Sequence, residues 1–200
     1  MTHDIDAINA EFYHHSGDKF ERFPHPFEDL LPILFEKYLK GHTILDIGSG
    51  PGALAVWLRD KGYEVICVEP SKKLAEEASK KGFKVYPLTL QKFETKEKFD
   101  SVVAISSLIH IPKKELPIQV GKIAKLLNPQ GLFFVSFLEG EDEEFLDPST
   151  EGRIRFFAKC TETFLNSMTK SAFLLLESHK IALPKLDLTF LLNVYTLKGS

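Results

Sequence analysis

The segment Ile44-Leu45-Asp46-Ile47-Gly48-Ser49-Gly50-Pro51-Gly52 sets the architecture of this chain. An apolar run that carries one acid breaks into three alternating glycines, and a helix-compatible run from Ala53 to Arg59 follows directly. Strand, glycine turn and helix in this order bring the backbone of α/β proteins close to a nucleotide-like ligand. Glycine permits a positive φ and removes the Cβ that would block the ligand. The segment therefore predicts a ligand site at the turn, with a tight turn that binds nothing as the alternative.

A second acid stands at the end of the next predicted strand, which covers 63–68. This acid is Glu69, and it follows the glycine loop by about 20 residues, the spacing at which an acid can accept hydrogen bonds from both ribose hydroxyls. Pro70 and Ser71 then begin a helix predicted over Lys72 to Lys81, with Ser71 as its N-cap. The alternative role for Glu69 is to cap this helix.

The rest of the chain continues to alternate between strand and helix. Strands are predicted at 84–88 and 99–105, and a helix from Leu116 to Leu127 carries its apolar residues on one face. A turn at 128–131 and a strongly apolar strand at 132–138 follow. Such alternation predicts a parallel sheet with both faces covered by helices.

The glycine loop by itself fits two classes of ligand. Gly48-x-Gly50-x-x-Ala53 matches a dinucleotide fingerprint, and Gly48-x-Gly50-x-Gly52 matches the loop of S-adenosylmethionine (SAM) methyltransferases equally well. Asp46 favours the second class. A carboxylate two residues before the first glycine can receive an ammonium group or hold the loop, but it is an unfavourable neighbour for a pyrophosphate.

Four segments extend this match along the chain: ILDIGSGPG at 44–52, EVICVEPS at 64–71, FDSVVAISSLIHIP at 99–112 and LLNPQGLFFVSF at 126–137. In their order and spacing the chain resembles the class I SAM-dependent methyltransferases, and most closely their small bacterial members. The resemblance implies a Rossmann-like three-layer α/β sandwich with a seven-stranded, mostly parallel sheet whose last strand is antiparallel. The strand-like segments 174–180 and 189–197, separated by a turn at 183–185 and preceded by a helix over 161–171, suit the closing pair. Residues 1–40 are expected to form an N-terminal helical segment of the same domain, and 41–200 the SAM-binding methyltransferase domain.

The resemblance also implies a role for each residue of the site. Gly48, Ser49 and Gly50 approach the methionine part of SAM, Asp46 holds its ammonium group, and Glu69 binds the ribose diol. Members of the family carry an acid after the third strand for the adenine amino group, whereas this chain has Thr89-Leu90-Gln91, where only the Gln91 amide oxygen is offered. The full set of cofactor-binding residues implied is Asp46, Gly48, Ser49, Gly50, Gly52, Glu69, Pro70, Leu74, Leu90, Gln91, Ile105 and Ser106.

His110 is the candidate catalytic residue. It lies just past the fourth strand, on the side where the resemblance places the acceptor, and imidazole suits proton removal near neutral pH. The alternative is a histidine that orients its loop through backbone bonds. The histidines show no metal-ligand spacing with the cysteines, so no metal is expected.

Two further segments allow two interpretations each. Phe20, Phe23 and Phe27 lie in an N-terminal part that either covers the ligand as a lid or packs as an extra helix. The acidic stretch 139–144 is expected to be an exposed loop near the site, either a gate that selects cationic substrates or a solvated connection.

Composition limits the partners and the setting. The formal charge is −3, from 25 basic and 28 acidic residues, and no basic tract predicts a nucleic-acid partner. No apolar run is long enough to span a bilayer, and the N-terminus lacks the apolar core of a signal peptide. Cys67 and Cys160 are expected to be reduced and buried, which predicts a cytoplasmic protein. Oligomeric state is left open.

Three functions therefore follow in order. The first is a SAM-dependent methyltransferase that transfers the methyl group to a small-molecule acceptor by in-line displacement and releases S-adenosylhomocysteine. The second is a SAM-binding protein without transferase activity. The third is a nicotinamide-dependent oxidoreductase, which Asp46 and the closing antiparallel pair disfavour. The sequence identifies neither the acceptor nor the atom that is methylated.

Overall fold

The computed structural model describes residues 4–15, 26–141, 143–148 and 153–199. Its centre is a sheet in which seven strands follow the order β3-β2-β1-β4-β5-β9-β8. These strands are β1 (Thr43–Ile47), β2 (Glu64–Val68), β3 (Lys84–Tyr86), β4 (Phe99–Ala104), β5 (Leu127–Glu139), β8 (Phe173–Leu183) and β9 (Leu188–Leu197). Among these seven, β9 alone runs against its neighbours, pairing antiparallel with both β5 and β8. The predicted mostly parallel sheet with an antiparallel last strand is confirmed.

Helices cover both faces because successive strand residues point to opposite sides. On one face, α2 (Leu30–Tyr38) and α3 (Ala53–Asp60) pack against strand residues such as Ile44 and Val103. On the other face, α5 (Leu116–Leu126) and α6 (Glu162–Thr169) pack against residues such as Leu45 and Val102. Helix α4 (Lys72–Lys80) joins β2 to β3 and buries Leu74, Ala75 and Ala78. The result is the predicted three-layer sandwich.

The structure differs from two sequence predictions about loops. The segment Asn128–Gly131 is not a free turn: it lies inside β5, where Gln130 takes a φ of 60° and the register with β4 shifts. The predicted acidic loop at 139–144 is shorter at both ends, because Glu139 ends β5 and Glu144 begins β6 (Glu144–Pro148), which pairs antiparallel with β7 (Ile154–Cys160). The strand β7 continues the main sheet through its last residues beside the end of β5.

The N-terminal helix α1 (Ile5–His15) packs against β7 and α4. Phe27 is fully buried and contacts the Phe190 ring edge-on at 5.4 Å, whereas Phe20 and Phe23 lie outside the described residues. Cys67 and Cys160 are both buried and free of disulfides. Within the described ranges, no helix is both long and apolar enough to cross a bilayer.

Candidate functional site

A cavity lies where β1, β2 and β4 end, with the glycine loop as its floor. Carboxyl ends of parallel strands gather at one edge of the sheet, so the residues just after them converge. Helix α1 closes the opposite side of the cavity. The lining comprises Asp6, Asn9, Ala10, Tyr13, Ile47, Gly48, Gly50, Val68, Glu69, Pro70, Ser71, Leu74, Leu88, Thr89, Leu90, Gln91, Ser106, Ser107, Leu108, His110 and Ile111.

Two glycines of the loop serve different purposes. Gly48 has a φ of 70° and donates from its amide to the Val68 carbonyl at 2.7 Å, and a Cβ built on it would lie 2.3 Å from the Ser107 Cβ. Gly50 has a φ of 56°, but a Cβ there would meet no protein atom within 4 Å. The space beside Gly50 is cavity, so this glycine leaves room for a ligand, whereas Gly48 leaves room for the chain after β4.

Glu69 links the two loops at the centre of the cavity. Its Oε2 accepts from the Gly50 amide at 2.9 Å and its Oε1 accepts from the Ser71 amide at 2.7 Å. Burial raises the pKa of Glu69 to about 7, although these two amide bonds act to lower it. A carboxylate has about four acceptor positions, so both oxygens retain capacity for ligand hydroxyls. Ser71 precedes α4 as predicted, but its side chain makes no capping bond.

Asp46 lies behind the glycine loop and is almost fully buried. Its Oδ2 has no hydrogen-bond partner among the described residues. Burial raises the pKa of Asp46 to about 7, and the nearby charge of Glu69 adds to this effect. An orphaned buried carboxylate oxygen is costly unless a donor reaches it, which is what an ammonium group would supply.

The structure brings most of the predicted cofactor residues into the cavity lining: Gly48, Gly50, Glu69, Pro70, Leu74, Leu90, Gln91 and Ser106. Asp46, Ser49, Gly52 and Ile105 stand outside this lining. Gly52 instead is the N-cap residue just before α3, with a φ of 83°, and a Cβ there would lie 3.2 Å from the Ala78 Cβ. Its geometry serves the packing of α3 against α4.

One end of the cavity is formed by the segment after β3, from Leu88 to Gln91. Lys122 of α5 holds this segment by donating to the Leu90 and Gln91 carbonyls at 2.8 and 3.0 Å. The Gln91 side-chain amide nitrogen lies 3.5 Å from Asp6 Oδ1 and 3.5 Å from Glu115 Oε2. The Gln91 side-chain nitrogen is thus placed to donate to these two acids.

The other end holds His110, and its contacts fix its tautomer. Nδ1 lies 2.7 Å from the Phe156 carbonyl, and Nε2 lies 2.7 Å from the Tyr13 hydroxyl. Because a carbonyl only accepts, Nδ1 carries the proton and Nε2 accepts from Tyr13. Asn9 donates to the His110 carbonyl at 3.2 Å and accepts from the Phe156 amide at 2.8 Å. Helix α1 is therefore fastened to β7 and to the turn around His110.

Both members of this pair are neutral at pH 7. Burial lowers the pKa of His110 to about 4, a shift that the Phe156 carbonyl opposes and the Arg155 charge increases. Burial raises the pKa of Tyr13 to about 12, although Arg155 acts to lower it. Nε2 of His110 can therefore accept a proton only from the Tyr13 hydroxyl, which must itself take up a proton from another group.

Sequence reasoning missed the residues that α1 supplies, namely Asp6, Asn9, Ala10 and Tyr13. The pairing of Tyr13 with His110 joins positions separated by 97 residues. No local pattern signals such a contact, because a short amphipathic helix reads the same whether it faces a core or a cavity. Among the described residues, no group of three or more histidine, cysteine or acidic side chains is arranged to hold a metal ion.

The fold and the cavity define a Rossmann-like protein that binds a nucleotide-type ligand after its first strand. Comparisons with known proteins identify the family. Residues 19–173 match the model of the methyltransferase domain family. The chain therefore belongs to this family, and the resemblance to the class I SAM-dependent methyltransferases is confirmed.

Three relatives illustrate the range of the family. The ubiquinone biosynthesis O-methyltransferase of Rhodopseudomonas palustris (strain BisB5) is 29% identical over 113 residues, which are 54% of this chain and 44% of that one. The chain thus matches less than half the length of that curated relative. The Burkholderia thailandensis 1,6-didemethyltoxoflavin-N1-methyltransferase, crystallised with 1,6-didemethyltoxoflavin and S-adenosylhomocysteine, is 19% identical (TM-score 0.76; 100% of this chain, 91% of that chain). The N-methyltransferase NodS of Bradyrhizobium japonicum WM9, with S-adenosylhomocysteine, is 16% identical (TM-score 0.75; 98% and 100%).

Proposed function

We propose that the protein transfers a methyl group from SAM to a small-molecule acceptor. The observation that carries the proposal is the position of Glu69: a buried carboxylate bonded to the Gly50 amide and open to the same cavity as His110. An acid suited to the ribose hydroxyls thus lies at one part of the cavity and a histidine suited to proton transfer at another, which fits a nucleoside cofactor placed beside a second substrate.

The cofactor is held by residues along the floor. Asp46 lies behind the glycine loop and outside the cavity lining, so its unpartnered Oδ2 reaches the ammonium group through a bridging water. The open space beside Gly50 suits the methionine part, and Glu69 accepts from the ribose hydroxyls. Pro70 and Leu74 form an apolar wall for the base. SAM supplies an electrophilic methyl carbon that the acceptor attacks in line with the departing neutral sulfur. The protein mainly aligns these groups, which provides much of the rate.

Tyr13 and His110 act on the acceptor proton. An acceptor hydroxyl becomes strongly acidic as its oxygen bonds to carbon, so even a weak base suffices late in the reaction. The neutral Nε2 of His110 takes the Tyr13 proton while the Tyr13 oxygen takes that of the acceptor. The low pKa of His110 keeps Nε2 unprotonated throughout the physiological range.

The names of the relatives suggest which classes of acceptor to test first. The curated relative is named as an O-methyltransferase, whereas the two structural neighbours are named as N-methyltransferases. Hydroxylated small molecules are the first compounds to screen, and amines are the second.

Helix α1, which belongs to the predicted N-terminal segment 1–40, covers the cavity. A cytoplasmic location remains a prediction, based on the two cysteines without a disulfide.

Calorimetry with SAM, S-adenosylhomocysteine and NAD tests the cofactor. We expect SAM or its product to bind with micromolar-range affinity, on the order of −8 kcal/mol. Binding of NAD without binding of SAM would overturn the assignment. An acceptor screen read by mass spectrometry then separates a transferase from a SAM-binding protein, because only a transferase yields a product heavier by one methylene.

A further inference from the structure

The base-binding end of the cavity has an acid, but a different chain segment supplies it. The segment after β3 contributes Thr89, Leu90 and Gln91 and no carboxylate. Asp6, from the N-terminal helix, lines the same cavity. We propose that Asp6 is the hydrogen-bond acceptor for the exocyclic amino group of adenine, so that helix α1 recognises the base of the cofactor. This inference rests on the proposed use of SAM.

The position of Asp6 is set by its neighbours at the base-binding end. Its Oδ1 lies 3.5 Å from the Gln91 side-chain nitrogen, at the limit of a hydrogen bond. Gln91 presents its amino group to Asp6 and Glu115, so its carboxamide already acts as a donor there. The adenine amino group is also a donor, and it therefore requires the carboxylate and not the amide nitrogen.

The helix that carries Asp6 is anchored independently. Asn9 bonds to the backbone of His110 and of Phe156, and Tyr13 bonds to the His110 ring. These bonds lie one and two turns beyond Asp6 along α1. Replacing Asp6 therefore leaves α1 in place, and a loss of binding reports on the side chain and not on the helix.

The surroundings of Asp6 suit a hydrogen-bond donor. Burial raises the pKa of Asp6. The charges of Asp4 and Glu115 raise this pKa further, whereas Lys92 and a hydrogen bond with Thr89 lower it. A partly buried carboxylate in such surroundings gains from a hydrogen bond that the ligand donates. An exocyclic amino group donates that bond, whereas a purine without the amino group leaves the carboxylate without a donor.

The test compares S-adenosylhomocysteine with its 6-deamino purine analogue, in which a hydrogen replaces the exocyclic amino group and ring N1 remains an acceptor. Calorimetry on the wild-type protein is expected to show adenosyl binding tighter by about tenfold to hundredfold, the range of a hydrogen bond to a charged group. In Asp6→Ala this preference is expected to fall to within about threefold. In Asp6→Asn it is expected to narrow, because a neutral amide oxygen is a weaker acceptor than a carboxylate.

Asp4→Asn is the matched control, since Asp4 lies two residues before Asp6, changes charge equally and stands outside the cavity lining. Its Oδ1 accepts from the Ala7 amide, a role that asparagine retains. Asp4→Asn should keep the wild-type preference. Retention of full preference in Asp6→Ala, or its loss in Gln91→Ala with Asp6 intact, overturns the inference. A wild-type protein that binds neither nucleoside refutes the proposed function instead.

Discussion

Glu69 Oε2 accepts a hydrogen bond from the Gly50 amide at 2.9 Å, which ties the end of β2 to the glycine turn after β1. The same carboxylate accepts from the Ser71 amide, so one side chain shapes both loops of the cofactor site. Under the proposed function its role is double: it builds the site, and it offers the remaining acceptor positions to the ligand.

Replacing Glu69, which follows β2, should weaken cofactor binding more than replacing an exposed acid of β2 itself. We expect Glu69→Ala to lose about 2–3 kcal/mol of SAM binding, because hydrogen bonds to a charged acceptor are strong. Titration calorimetry measures this loss, and thermal unfolding without ligand measures the separate effect of two unpaired amides. Glu64→Ala, at the exposed start of β2, is the control. Normal SAM affinity in Glu69→Ala would show that Glu69 only caps the helix that follows it and does not bind the ligand.

The two loop glycines should respond differently to alanine. At both positions a positive φ costs alanine about 1–2 kcal/mol. In Gly48→Ala the new Cβ also overlaps Ser107 at 2.3 Å, so thermal stability should fall well beyond that of Gly50→Ala. Gly50→Ala should fold and lose SAM affinity, and Gly50→Val should abolish binding, because the side chain enters the ligand space. Equal stability of the two alanine variants would contradict this assignment.

Cofactor binding should depend on pH between about 4 and 7. The pKa values of Asp46 and Glu69 in the folded protein are raised to about 7, above their usual 3.8 and 4.5. Between these values the ligand-free folded protein therefore binds more protons than the unfolded chain does. Its stability therefore declines as the pH rises through the window. A ligand with an ammonium group and ribose donors favours the ionised acids, so binding should release protons and tighten toward pH 7. Calorimetry in buffers of different ionisation enthalpy counts those protons, and Asp46→Asn should reduce the count. Proton uptake on binding would contradict the prediction.

The sequence predicted those parts of the site that local chemistry encodes. The glycine turn, Glu69 and the strands around them follow from short patterns whose geometry is fixed within a few residues. The hairpin of β6 and β7 was missed because β6 is short, carries Glu144, Asp147 and Pro148 without an apolar alternation, and pairs with β7 alone. Asp6 and Tyr13 were missed because the packing of α1 over the cavity depends on Asn9 and its distant partners His110 and Phe156.

The sharpest test of the chemistry concerns the pair of Tyr13 and His110. Tyr13→Phe removes only the hydroxyl, and His110→Asn keeps a donor for the Phe156 carbonyl. Each is expected to retain SAM affinity while turnover on an identified acceptor falls by about 10²–10⁴. The double variant should lose little more than either single one, because the two residues move one proton together.

The pH profile of that turnover separates a relay from a structural bond. Burial holds the pKa of His110 at about 4, so its protonation should not reduce the rate until the pH falls well below 6. Tyr63→Phe, which stands outside the cavity lining, is the control and should leave the profile unchanged. Full turnover in either variant of the pair would refute the relay. A joint loss of stability and SAM binding would show that the bond between Tyr13 and His110 serves only to hold α1 against the turn after β4.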